Sequence, residues 1–499
     1  MGLVKRQGIK RSIVDYAGVS IGMISVFFVY PLVIEAYGVI SFLRSSAILL
    51  AAFAALGLDS IGIRFFPEFR DETGKHNGFL TLLLLIASGS FLFLLVFWIG
   101  FKEDLTHFYT VKNEEGIDLM NCYALVLPLA FFLVLIKMLT AFCSNFQRIV
   151  IPGIINDFFI KVAVPVLCLL FFFNWIDLAR LIQSYFWIHL VVVVGLLIYL
   201  RSLKQLRITW PTAKVWSKIK EIATYASFNI LGNVGAALTQ QMDVFMMGNL
   251  TDARNTGSYD LGLRLISPLN IPQRAIMSIT GPLVADGIRR EDWPYIRDMY
   301  QRAALNLLAF ASGLFLLLFL NLDDLSLLLP KGEVFNTLKP VVFILGMVGL
   351  FDMATSFNGH LITYSKYYKA NVVFIVFLGV LNTILNLLLI PAYGMVGAAL
   401  ATAISMIGFN VAKLFFVRIK FGFWPFSTPM LYLIGLALGF GLFFWWLPLP
   451  FSAILNIAIR SVLIILAFAL SLWYLPISAD VRELMEEGIA QIKKLIGKN

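Results

Sequence analysis

Apolar residues in this chain come in long unbroken runs, not in the alternating or striped patterns of soluble strands and helices. Windows of about 20 residues, the length an α-helix needs to cross a bilayer, recur near 12–35, 39–63, 79–101, 119–143, 151–173, 180–200, 223–249, 258–283, 303–328, 336–362, 371–391, 395–417, 428–447 and 452–475. The pattern predicts an all-α polytopic membrane protein with about 14 transmembrane helices. The runs 371–391 and 395–417 meet at Pro391-Ala392-Tyr393-Gly394, a turn signal that makes them a transmembrane hairpin. Its first helix carries Asn382 and Asn386 at i, i+4, and its second opens with Gly397, Ala398, Ala399, Ala401, Thr402 and Ala403. Small residues let backbones approach closely in lipid and intramembrane amides need partners. The hairpin is therefore expected inside a bundle, with the two asparagines serving packing.

Charge is confined mostly to the short connections. With both termini in the cytoplasm, inner segments hold about 25 Lys and Arg against about 4 in outer loops, a positive-inside asymmetry. The net charge of +10 is thus a topology signal. With 14% charged residues and a mean hydropathy of +0.86, no soluble domain is left to carry a nucleic-acid-binding patch, and nucleic acid is not an expected partner. The first apolar stretch is too long for a signal-peptide core and is expected to stay attached as the first span. Cys122, Cys143 and Cys168 lack metal-like spacing and read as packing residues. No Walker loop, GxSxG elbow or HExxH occurs, so the chain is not expected to be an enzyme or an ATP-driven pump, nor to carry a cofactor. Two segments read as amphipathic helices on the inner leaflet. One is 285–302, with Ile288, Trp293, Ile296 and Met299 among arginines; the other is the tail 476–499, with Val481, Leu484, Met485, Ile489, Ile492 and Leu495 beside Lys493, Lys494 and Lys498.

An internal repeat organises the spans. Tyr37-Gly38 to Arg44 at the start of helix two matches Gly257 to Arg264 at the start of helix eight, and the two arginines are 220 residues apart. Asn145-Phe146-Gln147-Arg148 matches Tyr364 to Lys369 at nearly the same offset. Six helices return the chain to the cytoplasm before the second copy begins, so the repeat is parallel, as in a two-lobed transporter with its site between the lobes. The predicted division is an N-terminal lobe 1–200, a cytoplasmic linker 201–222, a C-terminal lobe 223–420, two further helices in 421–475 and the tail 476–499.

Polar residues within the spans are the candidate machinery, because a mid-bilayer charge costs at least ~2.5 kcal/mol. Arg44, Arg264 and Arg274 come first. Arg264, Ser267, Ile271, Arg274 and Ser278 share a face loosened by Pro268 and Pro272. Arginines in a cavity suit an anionic head group, although they could instead neutralise Asp260 or Asp243. Asn229, Asn233, Gln240 and Asp243 give helix seven a polar stripe, either a cavity wall for sugar hydroxyls or interhelical glue. Asp352 with Thr355 and Ser356 offers oxygens for Na⁺ or a carboxyl for a proton, and Asp243 is the second candidate for ion coupling. Asp157 and Lys161 read as an i, i+4 pair. Lys137, Lys339 and Lys413 read as snorkelling residues near helix ends.

The stretch NTILNLLLIPAYGMVGAALATAIS (382–405), together with Tyr37-Gly38 to Arg64-Phe65-Phe66, resembles the oligosaccharide flippases. These form the polysaccharide-export branch of the multidrug/oligosaccharidyl-lipid/polysaccharide exporter superfamily. The resemblance implies a bacterial inner-membrane flippase that moves a polyprenyl-diphosphate-linked oligosaccharide, an O-antigen or capsule repeat unit, from the inner to the outer leaflet. It implies lipid-linked oligosaccharide and membrane lipids as partners, beside polysaccharide polymerase machinery. A lipid II flippase, a multidrug exporter of the same superfamily and a membrane-embedded transferase acting on lipid-linked sugars are the alternatives.

Overall fold

The computed structural model describes residues 2–475, 477–478, 480–483 and 486–487; most of the tail expected over 476–499 lies outside the described residues. The chain is a multi-pass all-α membrane protein. Among the described residues, eleven helices are long and apolar enough to span a bilayer. One of them, Tyr368–Phe421, holds two spans, because Gly394 (φ 53°, ψ −131°) breaks it. A Cβ on Gly397 would lie 2.0 Å from the Leu389 carbonyl oxygen, yet eight residues along an unbroken helix span about 12 Å. The chain therefore reverses here, as the turn signal predicts. Two less apolar stretches complete the expected fourteen: the 32-residue helix Ile219–Leu250, and 253–289, which is interrupted by the 3₁₀ turn Ser267–Leu269 at Pro268.

Three local expectations change. Trp293, Ile296 and Met299 do not form a separate interfacial helix but belong to the first turns of the spanning helix Trp293–Phe319. The Asp292 side chain caps that helix by accepting from the Tyr295 N–H at 3.1 Å, and Ile296 is buried against Val284 and Tyr300. Asp157 pairs with Arg11, not with Lys161. It sits in a π-helical turn, Ile154–Phe158, where the extra residue per turn rotates it away from the i+4 position. The segment after residue 101 folds into a short helix, Lys102–Phe108, and an antiparallel hairpin pairing Thr110–Lys112 with Asp118–Asn121.

Contacts divide the chain into two compact units, residues 1–261 with 379–398, and residues 262–378 with 399–499. In the first unit, helix Ile34–Ala54 packs along Ile219–Leu250 and against the start of Ala253–Ile266. A Cβ on Gly38 would fall 1.8 Å from the Ala253 carbonyl oxygen, and one on Gly257 would fall 2.2 Å from that of Ile34. Both obstacles are backbone and cannot rotate away. Gly38→Ala is accordingly expected to lower stability by about 1–3 kcal/mol, read as a fall in the melting temperature of the purified protein. An unchanged melt would contradict this close approach.

The connection 70–78 is held by Asp71. Burial pushes its carboxyl up, but the Thr73 hydroxyl and the backbone N–H groups of His76 and Asn77 outweigh this and bring it down to about 2. A carboxylate held low stabilises the fold above its unfolded value and loses that contribution as pH falls through the folded one. Asp71→Asn should therefore lower the melting temperature at pH 7, and the difference from wild type should shrink between about pH 4 and 2. A difference that stayed constant over that range would exclude this assignment.

The second unit is built on Trp293–Phe319 and Glu333–Thr355. Its last two helices, Thr428–Trp446 and Ala453–Tyr474, join this core through Leu433, Phe444, Ile464 and Phe468. A buried ion pair fixes the last helix: Arg460 binds Asp324, and Asn456 Nδ2 donates to the same carboxylate at 3.0 Å.

Candidate functional site

Two buried carboxylates dominate the first unit. Asp260, 3% exposed, accepts from Arg44 Nη2 at 2.8 Å, from Ser41 Oγ at 3.0 Å and from the Tyr37 hydroxyl. Tyr37, Ser41 and Arg44 stand at i, i+4 and i+7, one face of helix Ile34–Ala54. Arg44 is thus engaged with Asp260, one of the two acidic partners the sequence offered it. Asp243 is also buried. Its Oδ1 accepts from Asn382 Nδ2 and Asn386 Nδ2, both at 2.6 Å, and its Oδ2 accepts from the Tyr259 hydroxyl at 3.0 Å. The i, i+4 spacing of the asparagines lets both reach one oxygen. Asn386 Oδ1 is buried and has no hydrogen-bond partner among the described residues, so an oxygen acceptor is left over beside the carboxylate.

The polar stripe of helix seven opens onto a cavity of about 580 Å³ within the first unit. Asn233 and Gln240 line it, together with Asp59, Lys137, Thr140 and Gln241. Lys137, which the sequence reads as snorkelling, places its Nζ 3.2 Å from Asp59 Oδ2. Asn229 lies one turn away, its Cβ against Gly57 and its amide on the Tyr225 carbonyl at 3.0 Å.

In the second unit Asp352 Oδ1 accepts from Asn410 Nδ2 at 2.9 Å and Oδ2 from Gln273 Nε2 at 3.3 Å. The hydroxyls of Thr355 and Ser356 turn back to their own helix, onto the Phe351 and Met353 carbonyls. Lys413 is only 7% exposed and sits over the Phe409 ring, so it does not snorkel; Lys339 pairs with the exposed Asp323. Arg264 is half-buried at the end of Ala253–Ile266 and Arg274 is exposed. An apolar groove of about 780 Å³ runs along this unit, walled by Phe315, Phe319, Phe343, Leu438 and Trp445, with Lys339 on its lining.

No protein-family model and no curated protein matches the sequence. Solved structures do. A lipid II flippase, MurJ, in an inward closed conformation superposes with a TM-score of 0.68 at 14% identity, over 93% of this chain and 99% of that one. An inward-facing multidrug-resistance transporter of the MATE family, in the MOP superfamily, gives 0.59 at 12% identity, over 82% of this chain and 94% of that one. A MOP-superfamily transporter from Pyrococcus furiosus gives 0.53 at 12% identity, over 84% and 96%. The chain has the fold these transporters share.

Proposed function

We propose that this protein is a flippase that moves a polyprenyl-diphosphate-linked oligosaccharide, an O-antigen or capsule repeat unit, from the inner to the outer leaflet of the bacterial cytoplasmic membrane by alternating access. The apolar groove of the second unit carries the reading. Its volume of about 780 Å³ and aromatic and aliphatic walls suit a long hydrocarbon chain. The whole-chain likeness to a lipid II flippase points to the same class of lipid-linked sugar, and it favours lipid II itself as the second reading. The MATE transporter overlays a smaller share of the chain, which weighs against a compact drug as cargo. The polar interior supports transport in place of sugar transfer, and a polymerase of the same polysaccharide system is the proposed partner.

Groove and cargo are linked by a direct test. Gly441 lines the groove, so Gly441→Phe should fill part of it. In proteoliposomes this variant should slow translocation of a polyprenyl-diphosphate sugar about tenfold, the scale of 1.4 kcal/mol of lost apolar contact. It should leave transport of a cationic dye, if any, unchanged. Undiminished lipid-linked sugar flipping would remove the groove from the mechanism.

The driving force proposed is a coupled cation, Na⁺ or proton, or the membrane potential itself. Export of a diphosphate moves negative charge in the direction an inside-negative potential favours, about 2.3 kcal/mol per charge per 100 mV. Asp243, with the unpartnered Asn386 Oδ1 beside it, is the first candidate for the coupling residue, since a hard cation seeks clustered oxygens. Asp352, held by Asn410 and Gln273, is the second.

A further inference from the structure

Two arginines of the first unit share a pocket that offers them no counter-charge. The connections 70–78, 145–149 and 203–212 meet around a cavity of about 330 Å³, lined by Arg70, Gln147, Arg148 and Gln205 among others and by no acidic residue. Both arginines are exposed, and neither makes an ion pair or a side-chain hydrogen bond among the described residues. The nearby acids are spent elsewhere: Asp71 accepts from the Thr73 hydroxyl at 2.9 Å and the Asn77 N–H at 3.2 Å, and Glu68 lies 3.4 Å from Lys218 Nζ. The walls are also fixed in advance. His76 Nδ1 accepts from the Asp71 N–H at 3.3 Å, so its Nε2 carries the proton and donates to Gln205 Oε1 at 2.6 Å. That leaves the Gln205 amide N–H groups as donors. Phe146 packs on the His76 ring with centroids 5.6 Å apart, and the Asn145 amide donates to the Gly62 carbonyl at 2.9 Å.

We infer that this pocket binds the phosphate of an acidic phospholipid from the leaflet it borders. Its depth is set by three apolar spans, Tyr123–Ser144, Val150–Phe172 and Leu178–Ser202, whose ends fall within three residues of Asn145, Arg148 and Gln205. That is the level of the lipid head groups. Ile149, beside Arg148, is exposed, and past Gln205 the chain presents Ile208, 73% exposed, and Trp210, 72% exposed. Tryptophan at a span end marks the membrane interface. Two guanidiniums suit phosphate oxygens, which they can grip bidentately, and a basic pocket beside span ends is built for such head groups. A choline or ethanolamine ammonium would find no carboxylate on this lining, which favours an acidic lipid over a zwitterionic one. Free phosphate would forgo the apolar contact that acyl chains can make with Ile149 and its exposed neighbour Ile151. The site stands apart from the choice of cargo, since every group in it belongs to the first unit and none lines the apolar groove of the second.

Full-length protein in neutral detergent micelles, titrated with dioleoylphosphatidylglycerol, dioleoylphosphatidylcholine or inorganic phosphate, tests this through native mass spectrometry of bound lipid and through melting temperature. Phosphatidylglycerol should raise the melting temperature and bind at least about tenfold more tightly than phosphatidylcholine. Arg70→Gln and Arg148→Gln should each weaken phosphatidylglycerol binding about fivefold, the effect of one cation at the membrane surface. Neither should change the melting temperature in detergent alone, because neither side chain has a partner to lose within the protein. Arg207→Gln serves as the control, since Arg207 is an exposed cation on the same connection that does not line the pocket; it should leave binding within about twofold of wild type. Equal loss in Arg207→Gln would mean diffuse attraction to a basic face and would overturn the pocket. Phosphatidylglycerol binding that survives the double variant Arg70→Gln/Arg148→Gln, or that phosphatidylcholine equals, would overturn it as well. Inorganic phosphate that matches the stabilisation given by phosphatidylglycerol would overturn the lipid assignment.

Discussion

Asp243→Ala is expected to abolish transport and to destabilise the protein by about 3 kcal/mol or more, because two amides and a tyrosine hydroxyl lose their common acceptor inside the membrane. Hydrogen bonds between membrane helices average only ~0.6 kcal/mol. Bonds to a charged group are worth ~1.5–3 kcal/mol, however, and Asn382, Asn386 and Tyr259 all converge on one carboxylate. Asn382→Leu, which leaves two donors in place, should cost about 1 kcal/mol and retain flipping. Asp243→Asn keeps the volume and an acceptor oxygen, so it should fold better than the alanine variant and still fail to transport. Thermal melting of purified variants beside proteoliposome transport separates the two effects. An Asp243→Asn variant with full activity and unaltered ion dependence would remove this residue from coupling.

The Arg44–Asp260 pair should show the second large effect. Asp260→Ala leaves a mostly buried guanidinium without its carboxylate and is expected to cost about 3–5 kcal/mol. Arg44→Leu should cost less, because Tyr37 and Ser41 still donate to Asp260. Changing both to leucine should recover most of the loss, since replacing a buried ion pair with apolar residues is often close to neutral. The double-mutant cycle should give a coupling of about 2 kcal/mol or more. A coupling below about 0.5 kcal/mol would mean that Arg44 is held for another purpose, such as an anionic head group.

How much of this was legible follows from where the signal lies. The spans were readable because bilayer thickness fixes their length, and the hairpin because Pro391 and Gly394 punctuate it; Gly394 adopts the positive φ that such a turn demands. Interruptions within spans were harder. Leu56 (φ 47°) and Gly57 (φ 72°) separate helix Ile34–Ala54 from Leu58–Arg64 inside what reads as a single apolar window. The π turn at 154–158, which sends Asp157 to Arg11, leaves no mark in composition.

Partners across the sequence were the least accessible. Arg44 and Asp260 are each visible as intramembrane charges, but that they meet is a fact of tertiary packing. Asn382 and Asn386 were readable as a polar face, whereas their common target, more than a hundred residues earlier, was not. Lys137 did carry a signal, being a lysine within an apolar run, but its pairing with Asp59 is a matter of tertiary packing. Arg460 is a similar case: an arginine well inside the last span, matched by Asp324. Asn233 and Gln240 were found through helical spacing, but Thr140 and Gln241 became candidates only once the cavity brought them together.

The central claim is that the protein carries a lipid-linked sugar across the membrane without ATP. It is tested most directly with purified protein in proteoliposomes loaded with a polyprenyl-diphosphate oligosaccharide, using a membrane-impermeant sugar-modifying enzyme to report leaflet exposure under imposed Na⁺, proton or potential gradients. The account predicts ATP-independent appearance of sugar in the outer leaflet, accelerated by at least one of these gradients and lost in Asp243→Ala. Sugar confined to its starting leaflet under every gradient, or equal exposure with the Asp243→Ala protein, would contradict it.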